Sequence, residues 1–565
     1  LSIGAPNLTE IAEIHASLGL RLPDVGSNNW VVGGAKTTTG KPLLANDPHL
    51  GIQMPSIWYE MGLHCVPQNE ACPYNVVGYT FPGVPGIVIG HNDRIAWGVT
   101  NTGPDVQDLF VEEIQGSQSK FKATWEDLQI VEETIKVKGG AAETIKVQIT
   151  RHGPIMTPVL SGVTKPVALQ WTALRERSRL FELVLRINRA KNWSEFRDAL
   201  KLWDVPAQNF VYADVDGNIG YQMPGNIPIR AKGDGTMPVP GSTGEYEWTG
   251  YIPFDELPFV YNPPTHFIAT ANNAVVPPTY KYLVATDWSA PYRQQRIVDL
   301  LKAKDKLSTD DMKKIQGDVY SIPLAQMQKH IVALKPEGVA QTRALEYMKA
   351  WDGSLTTENV GGFVLEATYQ RLARNLFKVK LGEDTLLRDY LNLASNQNRM
   401  MVLALLEQPW SDWWGGAGRD AMLQKSFGEA VDELRAKYGD APAEWKWGSA
   451  HTSTFAHPLG SVQPLDRLFN AGPVTTPGGV FTVFATGFRN TAPYTVNHVS
   501  SMRMIVDLSN WGNSLQVHTT GQSGQPLQKH YSDMVLLWRD AQYAPMYFDR
   551  AALDKAREGL LVLVP

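Results

Sequence analysis

The chain has 565 residues, a net charge of −5 at pH 7 and no basic tail, which removes the electrostatic reason to expect nucleic acid. No apolar run approaches the ~20 residues of a membrane span. A 43% hydrophobic content with 17 Trp, 20 Tyr, 48 Gly and 37 Pro fits a large, loop-rich enzyme with aromatic-lined clefts better than a coiled coil or a repeat rod.

Residues 1–26 read as a short helix, Leu8 to Leu18, and a turn at Pro23-Asp24. The first residue is Leu1, with no Met and no signal peptide, so a piece of a longer precursor is expected. Strands begin at Trp30-Val31-Val32 and Pro42-Leu43-Leu44-Ala45, with Gly40-Lys41 as the turn between them. Cys65 and Cys72 are the only cysteines; their spacing fits no redox or zinc knuckle and leaves a disulfide of an exported protein or two free thiols. The stretches 134–137 and 144–150 alternate as a hairpin around Gly139-Gly140. Phe210 to Asp214 and Asn218 to Gln222 form another around Asp216-Gly217. Helices are expected from Arg179 to Asn188 and from Trp193 to Leu202 after an Asn192 cap. From about Gln294 to Lys437 the period becomes helical, with segments at Asp310–Gln316 after Ser308, Ala340–Trp351, Leu365–Leu376 and Asp420–Tyr438. From Thr452 short strands return. The division expected is therefore 1–26, a spacer; 27–292, a strand-rich core; 293–451, an inserted helical region; and 452–565, a β-rich return to the same core.

Several chemical motifs fail. Gly34 to Gly40-Lys41 is one residue too long for a phosphate loop, and Pro42 stands where Ser or Thr must meet magnesium. Asp214-x-Asp216-Gly217-Asn218 has Gly225 instead of Glu at position twelve of a calcium loop. There is no Gly-x-Ser-x-Gly elbow and no His-Glu-x-x-His, and His451 and His457 lack a carboxylate partner.

Gly26-Ser27 is the informative dipeptide. A strained Gly-Ser peptide allows the Ser hydroxyl to attack its own preceding carbonyl, and hydrolysis then frees an α-amine beside that hydroxyl. Such an amine titrates near ~8, so one residue supplies nucleophile and base. Asn46-Asp47-Pro48-His49 ends the second strand, and a hairpin of that length returns His49 beside Ser27. Trp97 to Thr102 and Thr270-Ala271-Asn272-Asn273 each end a strand, where a backbone N–H and a side-chain amide make a pair of oxyanion donors. Singly, each motif has a plain structural reading: a loop Gly-Ser, a hydrogen-bonding His, a turn-forming Asn.

Together they occur in a recognisable order: Ser27-Asn28-Asn29-Trp30, Asn46-Asp47-Pro48-His49, Pro85 to Asn92, Tyr212 to Tyr221, Ala271-Asn272-Asn273, Gly521-Gln522-Ser523-Gly524 and Lys529-His530-Tyr531. This resembles the penicillin acylase family of N-terminal-nucleophile hydrolases, with its cephalosporin and acyl-homoserine-lactone acylases, from about Gly26 to His530. The resemblance implies an α+β fold, a four-layer α-β-β-α sandwich with an inserted helical region. It implies an exported, periplasmic or secreted bacterial enzyme that hydrolyses small N-acyl amides through an acyl-enzyme. The chain then looks like the end of a spacer plus the large β subunit, paired with an α subunit from the same precursor.

By the same resemblance Ser27 is the nucleophile, freed by self-cleavage, and Asn272 and the Asn101 backbone N–H are the oxyanion donors. His49 stands next to the amine, and Arg293 lies behind Asn272. Calcium ligands match in part: Asp105 and Asp108, with the Gln107 carbonyl between them, while Tyr282 falls near the third carboxylate. In the acyl pocket, Leu50 and roughly Pro82, next to Phe81, replace two Phe of benzylpenicillin-type relatives, which predicts a preference for linear acyl chains over phenylacetyl. The alternatives are an acyl-homoserine-lactone acylase and, outside catalysis, a binding protein on the same fold; the latter has no use for a hydroxyl beside a free amine.

Overall fold

The computed structural model describes residues 26–563 except 161–162, 175–176, 332–333, 384, 394 and 491. The expected helix Leu8–Leu18 and the Pro23-Asp24 turn lie outside the described residues.

Two antiparallel sheets form the centre. Their strands are β1 (Gly26–Val32), β2 (Leu43–Gly51), β3 (Tyr59–His64), β4 (Asn75–Thr80), β5 (Ile89–Asn92), β6 (Ile95–Asn101), β7 (Gln208–Asp214), β8 (Ile219–Gln222), β9 (Phe259–Tyr261), β10 (Phe267–Thr270), β11 (Thr486–Phe488), β12 (Val496–Ser500), β13 (Met502–Asp507), β14 (Leu515–His518) and β15 (Ala544–Pro545). One sheet runs β10-β1-β2-β13-β14-β15, with β12 also on β2 and β11 on β12; the other runs β9-β8-β7-β6-β5-β4-β3. Residues 26–51 thus share a sheet with residues 486–545.

Strand side chains alternate between faces, and here both faces are apolar. Val31, Leu44, Met502 and Met504 of the first sheet meet Val77, Tyr79, Ile89 and Val211 of the second between the sheets. On the far side of the first sheet, Trp30, Val32, Leu43 and Ala45 pack on Ile297, Leu301, Met312 and Ile315. On the far side of the second, Trp97, Phe210 and Tyr212 pack on Leu183, Ile187, Phe196 and Leu200. Those last residues lie on α1 (Leu180–Arg189) and α2 (Trp193–Leu200), the latter capped by Asn192 accepting from the Glu195 N–H. The helices on the first sheet are α3 (Tyr292–Lys302) and α4 (Thr309–Gln316), the latter opened by a Ser308–Asp311 capping box. The layers are therefore α-β-β-α.

The helical stretch differs from expectation at its start. α3 and α4 carry an apolar stripe that covers the first sheet, so they belong to the sandwich. The separate helical core begins further on, where Gly338–Ala350, Gly361–Leu381 and Arg419–Tyr438 bury Leu345, Phe363, Leu376, Phe427 and Leu434 together. The outlying hairpin Gln129–Ile135 and Glu143–Thr150 sets Thr134 opposite Thr144, around the predicted Gly pair. Cys65 and Cys72 form a disulfide, the first of the two readings left open. Among the described residues no helix is long and apolar enough to cross a membrane.

Candidate active site

Ser27 sits near the start of β1, where Gly26 faces His49 and Ser27 faces Pro48 across the β1–β2 pair. Its Oγ donates to the Gly26 carbonyl oxygen at 2.5 Å, which places the hydroxyl beside the carbonyl it would attack. Its N–H donates to Asn272 Oδ1 at 2.6 Å. Gly26 opens the strand β1, opposite His49. What demands glycine is space: a Cβ at position 26 would lie 2.7 Å from Arg293 Nη2 and 3.0 Å from Asn272 Oδ1.

Arg293, on the first turn of α3, is the fork that holds these groups. Its Nη1 donates to the Ser27 carbonyl and to Asn28 Oδ1, both at 2.8 Å, and its Nη2 donates to Asn272 Oδ1 at 3.0 Å. Burial lowers the guanidinium to about 10, against the opposing charge of Asp47. Asn272 follows β10 with φ 66°, a left-handed conformation that Asn tolerates better than most residues. Its Nδ2 donates to the Asn101 carbonyl at 2.7 Å, so Asn101, at the end of β6, and Asn272 do meet.

His49 is across from Gly26, yet its imidazole turns from the hydroxyl. Residues 26, 28, 47 and 49 share the face toward α3 and α4, while Ser27 faces the space between the sheets. His49 Nε2 lies 3.0 Å from Asp47 Oδ2 and 3.2 Å from Asn28 Nδ2. Burial and the charges of Arg293 and Arg503 hold it well below the usual histidine range, so the ring is neutral. Its contacts are with the network beneath the strand and not with Ser27 Oγ. Motif reading treated Asp47 and Asn28 only as neighbours of the site.

A second network ties the two sheets together at this end. Asn46 donates to the Asn28 and Val99 carbonyls and accepts from the Val99 N–H. Gly98 leaves room for it, since a Cβ there would stand 2.9 Å from Asn46 Oδ1. Asn29, Thr270, Thr100, Asn209 and Tyr221 continue the chain of hydrogen bonds. The end of β6, and with it Asn101, is thereby fixed relative to β1.

Leu50 and Phe81 both border the apolar layer between the sheets, the layer that Ser27 faces. Pro82 is exposed and takes no part in it, a correction to the expected aliphatic wall. Instead Trp58 stacks on Phe81 with centroids 4.6 Å apart, and its Nε1 donates to Ser501 Oγ, whose hydroxyl donates to the Pro48 carbonyl beside Ser27. Only the folded chain brings Trp58 here.

The calcium expectation fails on geometry. Arg230 occupies the space between the two carboxylates, with Nε and Nη2 on both oxygens of Asp108 at 2.7–3.1 Å and Nη2 on Asp105 Oδ1 at 3.1 Å. Trp248 Nε1 adds a bond to Asp108 Oδ2. Gln107 opens a strand paired with Trp171, and Tyr282 donates to Glu256. Among the described residues no group of three or more His, Cys, Asp or Glu is placed to hold a metal. A fixed cation supplied by the chain fills the place where an ion was expected, so these residues do not fit calcium.

The comparisons agree with this architecture. Residues 5–555 match the family model described as penicillin amidase. The penicillin acylase 2 proenzyme of Pseudomonas sp. (strain SE83) is 30% identical over 553 residues, covering 95% of this chain and 69% of that protein. The acyl-homoserine lactone acylase QuiP of Pseudomonas aeruginosa is 27% identical over 577 residues, covering 94% and 67%. In structure, a thermostable penicillin G acylase from Alcaligenes faecalis superposes with a TM-score of 0.74 at 20% identity, covering 95% of this chain and 99% of that one, which supports the fold. With the family model spanning nearly the whole chain and the Ser27, Asn272 and Arg293 cluster assembled at the head of β1, this chain belongs to the penicillin amidase family.

Proposed function

We propose that the chain hydrolyses the amide of small N-acyl compounds with Ser27 as an N-terminal nucleophile. Hydrolysis of linear amides is the chemistry of the family; the residue roles are our reading. One observation carries it: the Ser27 hydroxyl rests against the Gly26 carbonyl while Asn272 and Arg293 hold its amide and carbonyl. Attack by Oγ on the Gly26 carbonyl carbon shifts the acyl group from N to O, which breaks the C–N bond and frees the amine, and water then hydrolyses the ester to release residues 1–26. Asn272 Oδ1, which already accepts from the Ser27 nitrogen, keeps that amine oriented with its lone pair toward Oγ. In turnover the amine takes the hydroxyl proton as Oγ attacks the substrate carbonyl, then passes it to the leaving amine. The tetrahedral oxyanion is stabilised by Asn272 Nδ2 and the Asn101 N–H, and water releases the acid from the ester.

The leaving amine is a β-lactam nucleus or a homoserine lactone in this reading, and the acyl group enters the layer bordered by Leu50 and the Trp58–Phe81 pair. An α subunit from the same precursor completes the pocket. The Cys65–Cys72 disulfide supports a periplasmic or secreted setting. The test is Ser27→Ala in the precursor: it stays whole and inactive on a phenylacetyl or octanoyl anilide, while the parent splits between 26 and 27 without a protease. Cleavage that persists in Ser27→Ala removes the self-processing mechanism.

A further inference from the structure

The Asn272 amide serves an oxyanion only when Nδ2, and not Oδ1, faces the substrate. The Ser27 N–H on Oδ1 and the Asn101 carbonyl on Nδ2 favour that orientation directly, and three buried side chains reinforce it. Arg293 has hydrogens only, so it forces Oδ1 of Asn272 toward itself. Arg293 is in turn aimed by two acceptors, the Ser27 carbonyl and Asn28 Oδ1. Asn28 can present its oxygen to Arg293 only because its Nδ2 is committed to two other acceptors, Asp47 Oδ2 at 2.9 Å and the Val483 carbonyl at 2.9 Å.

Asp47 is fully buried and collects four donors. Oδ2 accepts from Asn28, His49 and Ser500, and Oδ1 from Gln316 Nε2. These come from β1, β2, β12 and α4, so the carboxylate is fixed by four separate elements. It touches neither Ser27 Oγ nor the space between the sheets. A packing role would not need a carboxylate at a site lined by donors, where an amide would turn an N–H against other N–H groups.

We propose that Asp47 is a positioning residue that sets the polarity of the oxyanion amide through Asn28 and Arg293; this rests on the hydrolase reading above. An amide at position 47 meets Asn28 Nδ2 with a donor in one of its orientations, frees Asn28 to turn, and removes one of the two acceptors that aim Arg293, leaving the Ser27 carbonyl. Asn272 keeps the Ser27 N–H and the Asn101 carbonyl as partners but loses the firm hold of the guanidinium on Oδ1, so its Nδ2 is aimed less closely at the oxyanion in the transition state.

The experiment compares the parent, Asp47→Asn, Asn28→Ser and the double variant, each co-produced with its α subunit. Mass spectrometry reads the cleaved fraction, thermal unfolding reads Tm, and rates are taken well below it. Asp47→Asn lowers kcat per cleaved chain by about 10- to 100-fold, the scale typical of outer-shell partners. KM stays within about threefold, because an interaction made only in the transition state leaves KM alone. Asn28→Ser, which leaves Asp47 with His49, Gln316 and Ser500, gives a similar loss, and the double variant is no worse than the worse single one. Parental kcat in the cleaved variants, a loss confined to KM, or losses that multiply in the double variant overturn the relay. If Asp47→Asn does not fold, Asn28→Ser decides alone by the same kcat and KM criteria. An inactive parent refutes the hydrolase reading instead.

Discussion

Gly26→Ala separates maturation from catalysis. The added Cβ would lie 2.7 Å from Arg293 Nη2 and 3.0 Å from Asn272 Oδ1. Carbon contacts settle near 3.5 Å or more, so the guanidinium must retreat by about 0.8 Å. Nη2 already stands 3.0 Å from Asn272 Oδ1, and that retreat breaks the bond. A hydrogen bond to a charged group is worth about 1.5–3 kcal/mol, which slows self-cleavage by roughly 10- to 150-fold if the bond is intact in the transition state. Once cleavage has occurred, residue 26 leaves with the spacer, and the chain starting at Ser27 is identical to the parent. The matured Gly26→Ala enzyme should therefore show parental kcat and KM. Intact mass against time gives the cleavage rate, and an anilide assay per cleaved chain gives kcat. Cleavage at the parental rate refutes the crowding argument. A matured enzyme with altered kcat refutes the assignment of the scissile bond.

Asn272→Ala should lower kcat by about 10²–10³, the usual effect of losing one oxyanion donor, with a small fall in Tm because Ala at φ 66° is strained by about 1–2 kcal/mol; full activity in a steady-state assay removes Asn272 from the site. Calcium chelation should leave Tm unchanged, whereas Arg230→Met should lower stability by about 3–5 kcal/mol by stranding two carboxylates; a Tm drop of the parent in chelator, measured by calorimetry, refutes the guanidinium's role. Trp58→Leu should reduce kcat/KM for a phenylacetyl amide about 2- to 12-fold more than for the octanoyl amide of the same amine, the worth of one aromatic contact; equal losses place the Trp58–Phe81 pair outside the acyl pocket.

Much of this molecule was legible in one dimension. The β1–β2 hairpin that sets His49 opposite Gly26, the Asn192 and Ser308 caps and the hairpin around Gly139-Gly140 all follow from local alternation and turn chemistry, which act over a few residues. The ordered motifs carried the family, and with it Ser27, Asn101, Asn272 and Arg293. Periodicity reports that a side chain is buried and not what it meets, so α3 and α4 read as the start of a helical block when their stripe in fact covers a sheet. The same limit hid the side toward which His49 turns, since a hairpin register pairs backbones and the strand's pleat decides the face. Asp105 and Asp108 are visible as a carboxylate pair, but their cation lies 122 residues beyond Asp108, on the short strand Pro228–Arg230. Asn28 finds the Val483 carbonyl across 455 positions, and Trp58 finds Ser501 across 443. Such bonds depend on the three-dimensional closure of the two sheets and their helices, which no neighbouring residue encodes, and the one held by Asn28 fixes the amide that meets both Asp47 and Arg293.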